Sequence, residues 1–291
     1  MNIQSISIVV PTRKCVNNCK FCVSKMHDNI PEGEDGFNKF NITKRIKYAQ
    51  ANGITSCIIT GTGEPLQNRE FLIKLKELFK ELNYPFPNVE LQTTGVLLGL
   101  NQNNKFINLD LLKELGVNNI SLSVSSIFKD NINMEIIGMP KKEHFNLKER
   151  IFWLKLNGFN VRLSINMTNE LDKYTTHGIF EQIQKLNPDQ LTFRELWYDG
   201  NMMDLDESKW VINNSVSTEK INLIRDYIKL HGTKLYKLPY GFDVYSVHGM
   251  STIIDDDCMA NENDEYSLKY VVLQPDGKLY CRWDDPGSLI F

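Results

Sequence analysis

No stretch of this sequence approaches the roughly 18 consecutive apolar residues of a membrane-crossing helix. The N-terminus, MNIQSISIVVPTRKC, lacks a basic segment followed by an apolar run and a small-residue cleavage site. The chain is therefore expected to be cytoplasmic and to make no use of a membrane. Neither sign of charge dominates: 33 Lys and Arg against 36 Asp and Glu leave a net charge of -3. That balance offers no general attraction to a phosphate backbone and argues against nucleic acid as a partner. Internal repeats, low-complexity tracts and an obvious interdomain linker are also missing. Histidines number only five and show no local ligand spacing. Hydrophobic residues at 42% and charged ones at 24% are enough for a sizeable core without disulfides, which excludes a disordered chain.

Six cysteines are present, and their placement is uneven: Cys15, Cys19 and Cys22 together, then Cys57, Cys258 and Cys281. In a cytosolic chain such residues point to metal binding or catalysis before disulfides.

Short apolar or β-branched runs alternate with helical patterns from the first residues. Strands are predicted at Ser5 to Pro11, Thr55 to Thr60, Val89 to Thr93, Asn119 to Val124, Val161 to Asn166 and Gln190 to Glu195. Helices are predicted near Ile42 to Asn52, Glu70 to Leu82, Leu109 to Leu115, Leu147 to Leu156 and Ile179 to Leu186. Gly53, Gly116 and Gly158 stand just past three of them. The pattern is that of successive βα units on a parallel sheet, an α/β fold. From about Tyr198 the rhythm weakens, although Glu219 to Leu230 still reads as a helix. The expected organisation is a core over residues 1–197 and a C-terminal extension over residues 198–291 covering the substrate side. The extension ends in a hairpin, Tyr270 to Leu273 turning through Pro275-Asp276-Gly277 into Lys278 to Cys281.

The motif that carries most chemistry is Cys15-Val-Asn-Asn-Cys19-Lys-Phe-Cys22, directly after the first strand. In a βα barrel that is the end where active-site loops lie. Three thiolates in so short a loop can wrap one compact centre, and on a 4Fe-4S cube they leave one iron open to a small molecule. A zinc ribbon needs a fourth protein ligand, usually from a second CxxC pair, which is missing here. One βα unit later comes Thr60-Gly61-Thr62-Gly63-Glu64-Pro65-Leu66, whose glycines permit close backbone approach to a ligand and whose Glu64 can pair with an ammonium group.

At these residues the chain resembles the radical S-adenosylmethionine (radical SAM) superfamily, whose signature is C-x-x-x-C-x-x-C after the first strand of a partial (β/α)6 barrel. The second motif resembles that family's G-G-E-P segment. The resemblance implies Cys15, Cys19 and Cys22 as ligands of an oxygen-sensitive 4Fe-4S cluster. It places Phe21 near the adenine of S-adenosylmethionine and Gly61, Gly63, Glu64 and Pro65 against that cofactor. It further implies that the open iron chelates the cofactor, that electron transfer cleaves it to a 5′-deoxyadenosyl radical, and that this radical takes hydrogen from a substrate. An external one-electron donor such as flavodoxin or ferredoxin is implied as a partner.

Other residues keep two readings. Ser121 and Ser123 share one side of their strand, where the family binds cofactor ribose or carboxylate, but serines are also tolerated inside a barrel. Asn166, Arg194 and Glu195 end their strands and can meet the ribose, carboxylate or substrate, while the charged Arg194 and Glu195 suit an internal ion pair equally well. Gln92 and Thr93 can line the site or form a turn. Cys57 reads as a small buried hydrophobe. Cys281, in Gln274-Pro-Asp-Gly-Lys-Leu-Tyr-Cys281, resembles the hairpin that precedes cluster cysteines in peptide-modifying relatives, yet with Cys258 it makes only two thiols. His27 reads as a loop histidine or a contact near the cluster. Asp255-Asp-Asp257 is expected to be a solvated loop, and Trp197, Tyr245, Tyr280 and Trp283 to fill the core under the extension. The substrate is expected to be a peptide or protein ahead of a small metabolite, nucleotide or RNA. A non-catalytic iron-sulfur carrier is the alternative of another class.

Overall fold

The computed structural model describes residues 2–26, 37–99, 109–238, 241–256, 267–283 and 285–291. In chain order, β1 (Asn2–Ile3) and β2 (Ser5–Val10) precede α1 (Lys39–Ala51), β3 (Ser56–Gly61), α2 (Arg69–Glu81), β4 (Asn88–Thr93) and α3 (Leu109–Glu114). Then come β5 (Asn119–Val124), α4 (Asp130–Ile137), α5 (Leu147–Leu156), β6 (Asn160–Asn166), α6 (Thr176–Leu186) and β7 (Gln190–Arg194). The last third holds α7 (Asp206–Asn214), α8 (Thr218–His231), β8 (Gly232–Lys237), β9 (Asp243–Val247), β10 (Met250–Asp255), β11 (Ser267–Leu268), β12 (Val271–Leu273) and β13 (Leu279–Tyr280). All six strands predicted from the sequence form, each end within one residue of its expected place.

The chain divides into two compact units, one of residues 1–16, 27–120 and 259–291, the other of residues 17–26 and 121–258. In the first, the strand order is β13-β12-β2-β3-β4, parallel from β12 to β4, with β1 and β11 forming a separate parallel pair. In the second, the order is β5-β6-β7-β10-β9-β8; β6, β7 and β10 run parallel, and β9 and β8 are antiparallel additions. Each unit is thus an α/β structure with a parallel-rich sheet. Residues after 198 supply sheet strands to both, β10 beside β7 and β12 beside β2.

Alternation explains how these strands hold together. Leu163 and Ile165 on β6, and Leu191 and Phe193 on β7, are at most 1% exposed and turn to one face. There Phe180 of α6 meets Phe193 with ring centroids 5.7 Å apart. Burying each such side chain stabilises the fold by roughly 1.5–3 kcal/mol. Helix starts are set by short polar side chains: Asn38, Asn68, Asn146, Thr175 and Ser217 each accept a backbone N–H of the first turn. Gly53, Gly116 and Gly158 take positive φ at the helix ends where they were expected. Cys57 is buried, and burial pushes its thiol well above the ordinary range, as a small hydrophobe requires. Tyr280 lies in the core and its hydroxyl donates to Asp276 of the expected hairpin turn.

No helix among the described residues is long and apolar enough to cross a membrane.

Candidate active site

In the first unit the loops after β2 and β3 are tied together residue by residue. Thr12 N donates to Thr62 Oγ1 (2.9 Å), and that hydroxyl returns a bond to Thr12 O (3.2 Å). Asn68 Nδ2 donates to Pro11 O at 2.8 Å. The Gln67 side chain grips both flanks of Cys15: Val16 N donates to its Oε1 at 2.7 Å and its Nε2 donates to Lys14 O at 3.0 Å. Gln67 was missed in the sequence, where nothing but its place after Glu64-Pro-Leu marks it. Gly63 lies directly against the first cysteine. A Cβ there would sit 3.0 Å from Cys15 Cβ and 3.2 Å from Thr12 Cγ2, closer than side chains pack. Pro65 opens a 3-10 turn, Pro65–Gln67, and is itself buried.

Glu64 is only 2% exposed and faces into the fold. Thr93 Oγ1 donates to its Oε1 (2.6 Å), and Thr94 N (3.1 Å) and Thr94 Oγ1 (2.9 Å) donate to its Oε2. It therefore binds the loop after β3 to the end of β4, and a cofactor ammonium would have to share these oxygens. Burial pushes its carboxyl above the ordinary range, against the downward pull of the Thr93, Thr94 and Leu66 donors. Thr93 is accordingly part of a buried polar contact, and neither of its two sequence readings anticipated Glu64 as the partner.

In the second unit, Cys19, Phe21 and Cys22 are all partly exposed on the segment before the turn Val23–Lys25. Phe21 packs against Trp210 of α7, ring centroids 6.0 Å apart. Lys25 Nζ donates to Glu207 Oε1 (2.8 Å) and to Asn18 Oδ1 (2.5 Å). Burial works to lower the Lys25 pKa, but the Glu207 bond and charge, with Cys22 and Cys19 as further negative centres, leave it raised. The cation thus stands within the electrostatic reach of both thiols.

The remaining candidates share one face of the second sheet. The register aligns Asn166 with Arg194, and Arg194 with Asp255, across β6, β7 and β10. Asn166, 4% exposed, donates from Nδ2 to Ser123 Oγ (3.1 Å) and Ser125 Oγ (3.3 Å). Ser121 lies on that face of β5 too, two residues before Ser123. Asn166→Ala is expected to lower unfolding free energy by about 1–3 kcal/mol, because the buried Ser125 hydroxyl and the half-buried Ser123 hydroxyl lose their donor; urea denaturation reads this directly.

Charge gathers at the ends of β7 and β10. Arg194 pairs with Asp255 (3.7 Å), while Arg225 of α8 meets Glu195 (3.1 Å) and Asp256 (2.8 Å). Burial raises the Glu195 carboxyl, Arg225 opposes this, and Asp256 and Asp255 add to the rise. The acidic stretch is therefore not simply solvated: Asp255 is 6% exposed and ends a strand. Asp257, Cys258 and His27 lie outside the described residues. Trp197, Tyr245, Cys281 and Trp283 are half-buried.

The residues present fit a cluster with a bound small molecule. The first loop offers three soft thiol donors at partly exposed positions, and the Gly63 backbone cradles the first of them. Among the described residues no three His, Cys, Asp or Glu side chains converge to hold one metal ion. A cube does not require that, since each cysteine takes its own iron.

Residues 9–173 match the Radical SAM superfamily. Among curated proteins, the GTP 3′,8-cyclase of Clostridium perfringens (strain SM101 / Type A) is 26% identical over 267 residues, covering 85% of this chain and 73% of that protein. Among solved structures, native anSMEcpe with bound AdoMet is similar with a TM-score of 0.59 at 15% identity, covering 95% of this chain and 74% of that one. The complex of anSMEcpe with AdoMet and the Kp18Cys peptide gives 0.57 at 15%, covering 96% and 74%. These structures bear out the expected α/β barrel-type fold. The chain belongs to the radical SAM superfamily, and with it is an enzyme whose cofactors are a 4Fe-4S cluster and S-adenosylmethionine.

Proposed function

We propose that Cys15, Cys19 and Cys22 hold the cluster and that the enzyme abstracts hydrogen from a peptide or protein substrate. The observation that carries the cluster assignment is the first cysteine's setting, with Gln67 bonded to both its flanks and Gly63 packed on it. When bound, the reduced cluster and S-adenosylmethionine supply a 5′-deoxyadenosyl radical. The chain's own residues hold and orient. Gly61 and Gly63 let the loop pack closely on Val10, Thr12 and Cys15, Pro65 opens its turn, and Glu64 locks that loop to β4, so that the cofactor is offered a loop fixed beside Cys15. Phe21 offers a ring for the adenine, and Ser121, Ser123, Asn166 and Arg194 offer polar groups on one sheet face for the ribose and carboxylate. Residues 1–197 are read as the catalytic core and 198–291 as the extension that shapes the substrate side. Electrons come from outside the chain, from a flavodoxin or ferredoxin.

The substrate class rests on charge. At the ends of β7 and β10 three carboxylates, Glu195, Asp255 and Asp256, stand against two guanidinium groups, Arg194 and Arg225. That surplus disfavours a polyphosphate and is compatible with a peptide. The relationship to GTP 3′,8-cyclase favours a second reading, a nucleotide substrate.

Anaerobic reconstitution tests both. About four irons per chain and 5′-deoxyadenosine formed on reduction with S-adenosylmethionine are expected. Cofactor cleavage unaffected by added GTP supports the peptide reading; GTP consumed with a new nucleotide product replaces it. Zinc in place of iron would sink the cluster assignment.

A further inference from the structure

The segment 17–26, which carries Cys19 and Cys22, rests on an element outside both sequence motifs. Asn18 N donates to Ile137 O and to Gly138 O, both at 3.2 Å, and Lys20 N donates to Ile136 O at 3.1 Å. These acceptors are the last carbonyls of α4, groups that a helix leaves without partners of its own. Gly138 closes α4 in the left-handed region (φ 64°, ψ 38°). A Cβ at this position would lie 2.4 Å from the Asn18 carbonyl oxygen and 2.7 Å from its carbon, a collision with backbone that no side-chain rotation relieves. On α7, Trp210 packs against Phe21, and Glu207 holds Lys25, which also bonds Asn18.

We propose that the C-terminus of α4, with Gly138 at closest approach, is a preformed platform that sets the path of the chain from Asn18 to Cys22, and that Gly138 is thereby a positioning residue for the cluster. The inference rests on the assignment of the cysteines above. Two amides of the loop, those of Asn18 and Lys20, are committed to α4, so loop conformation is fixed before any iron arrives. Preorganised ligands and their supporting bonds govern metal affinity.

The test compares three variants of the full chain. Gly138→Asn tolerates positive φ but keeps the collision; Gly138→Ala has both faults; Gly158→Ala has positive φ (89°) but open space around it, and so reports backbone strain alone. In the protein before iron is added, hydrogen exchange should show the Asn18 and Lys20 amides protected in wild type and in Gly158→Ala, and unprotected in both Gly138 variants. After reconstitution, the Gly138 variants should bind iron about tenfold more weakly and give altered electron paramagnetic resonance g-values, with Gly158→Ala as wild type. Should the Gly138 variants fail to fold, the exchange measurement on wild type before iron is added carries the test, because it reads the Asn18 and Lys20 bonds to α4 directly. Unprotected Asn18 and Lys20 amides in that wild-type protein, or wild-type exchange, iron and resonance in Gly138→Asn, overturn the proposal. A wild-type protein that takes up no iron-sulfur cluster defeats the cluster assignment instead, while the exchange data still judge the platform.

Discussion

Cys19→Ala protein, and equally the Cys15→Ala and Cys22→Ala proteins, is expected to form no 5′-deoxyadenosine above background while keeping the circular dichroism spectrum and unfolding midpoint of wild type. The reason lies in where the thiols stand. All three are partly exposed on the loop after β2, and none belongs to the apolar layer that holds the sheets to their helices. Deleting a sulfur there creates no core cavity, the usual origin of a large stability loss. On the proposed ligand set its effect falls on the cluster, which would lose one of three protein ligands and with it the open iron's defined place. Cys57→Ala is the contrasting case: 1% exposed in β3, it is expected to cost stability modestly and to leave iron content unchanged. Iron and sulfide per chain, together with chromatographic detection of 5′-deoxyadenosine, check both halves. Full cleavage in any of the three loop variants would remove that cysteine from the ligand set.

Glu64→Ala is expected to cut both stability and cofactor cleavage, by a different route. Its carboxylate takes up three close donors from Thr93 and Thr94, so truncation strands buried polar groups and releases the glycine loop from β4. Loss of about 3 kcal/mol in unfolding free energy is the expected scale for such a change. Glu64→Gln, which preserves shape, should lose less. Stability against pH adds a signature. Burial holds the folded-state pKa of Glu64 above its unfolded value, so the native state keeps this proton to higher pH than the unfolded chain does. Stability from this group is then greatest below the ordinary carboxylate pKa and declines as pH rises from that value through the raised one, levelling off above it. Glu64→Gln should abolish that decline. Urea titrations of both proteins across the acid range decide it, and an identical slope in the two would show that Glu64 is not the titrating group.

Much of this fold was legible because its local signals agree with its tertiary demands. The runs Ser5 to Val10 and Asn119 to Val124 are apolar on alternate residues and bounded by polar turns, and they are strands in the structure. The helices at Arg69–Glu81 and Thr176–Leu186 have apolar residues at helical spacing and an Asn or Thr cap. Helix α4 was not legible. Its sequence, DNINMEII, is rich in poor helix formers, and Asn133 sits in its interior. Only the fold explains Asn133: 1% exposed, it accepts from Ser125 N at 2.7 Å, a bond that exists only once β5 lies beside it. Helix α7 was missed for a similar reason: only Ser208 and Val211 are buried along it, while Glu207 and Trp210 make their contacts with the segment 17–26.

By itself the sequence determined the chemistry on offer: three thiols at family spacing, a glycine-rich loop one unit later, and the succession of strands and helices that carries them. Those follow from covalent spacing and from periodicity, both local properties. The tertiary structure alone decided which groups hold the cysteines in place. Gln67, Gly138, Glu207 and Trp210 are distant from the motif in sequence and reach it only through chain reversal, Gly138 by a backbone carbonyl that any residue type has and the other three by side-chain contacts that no local pattern marks. It also decided that Glu64 is a buried strut and that Asp255 ends a strand beside Arg194, because burial and ion pairing depend on what packs alongside, and no local pattern encodes that.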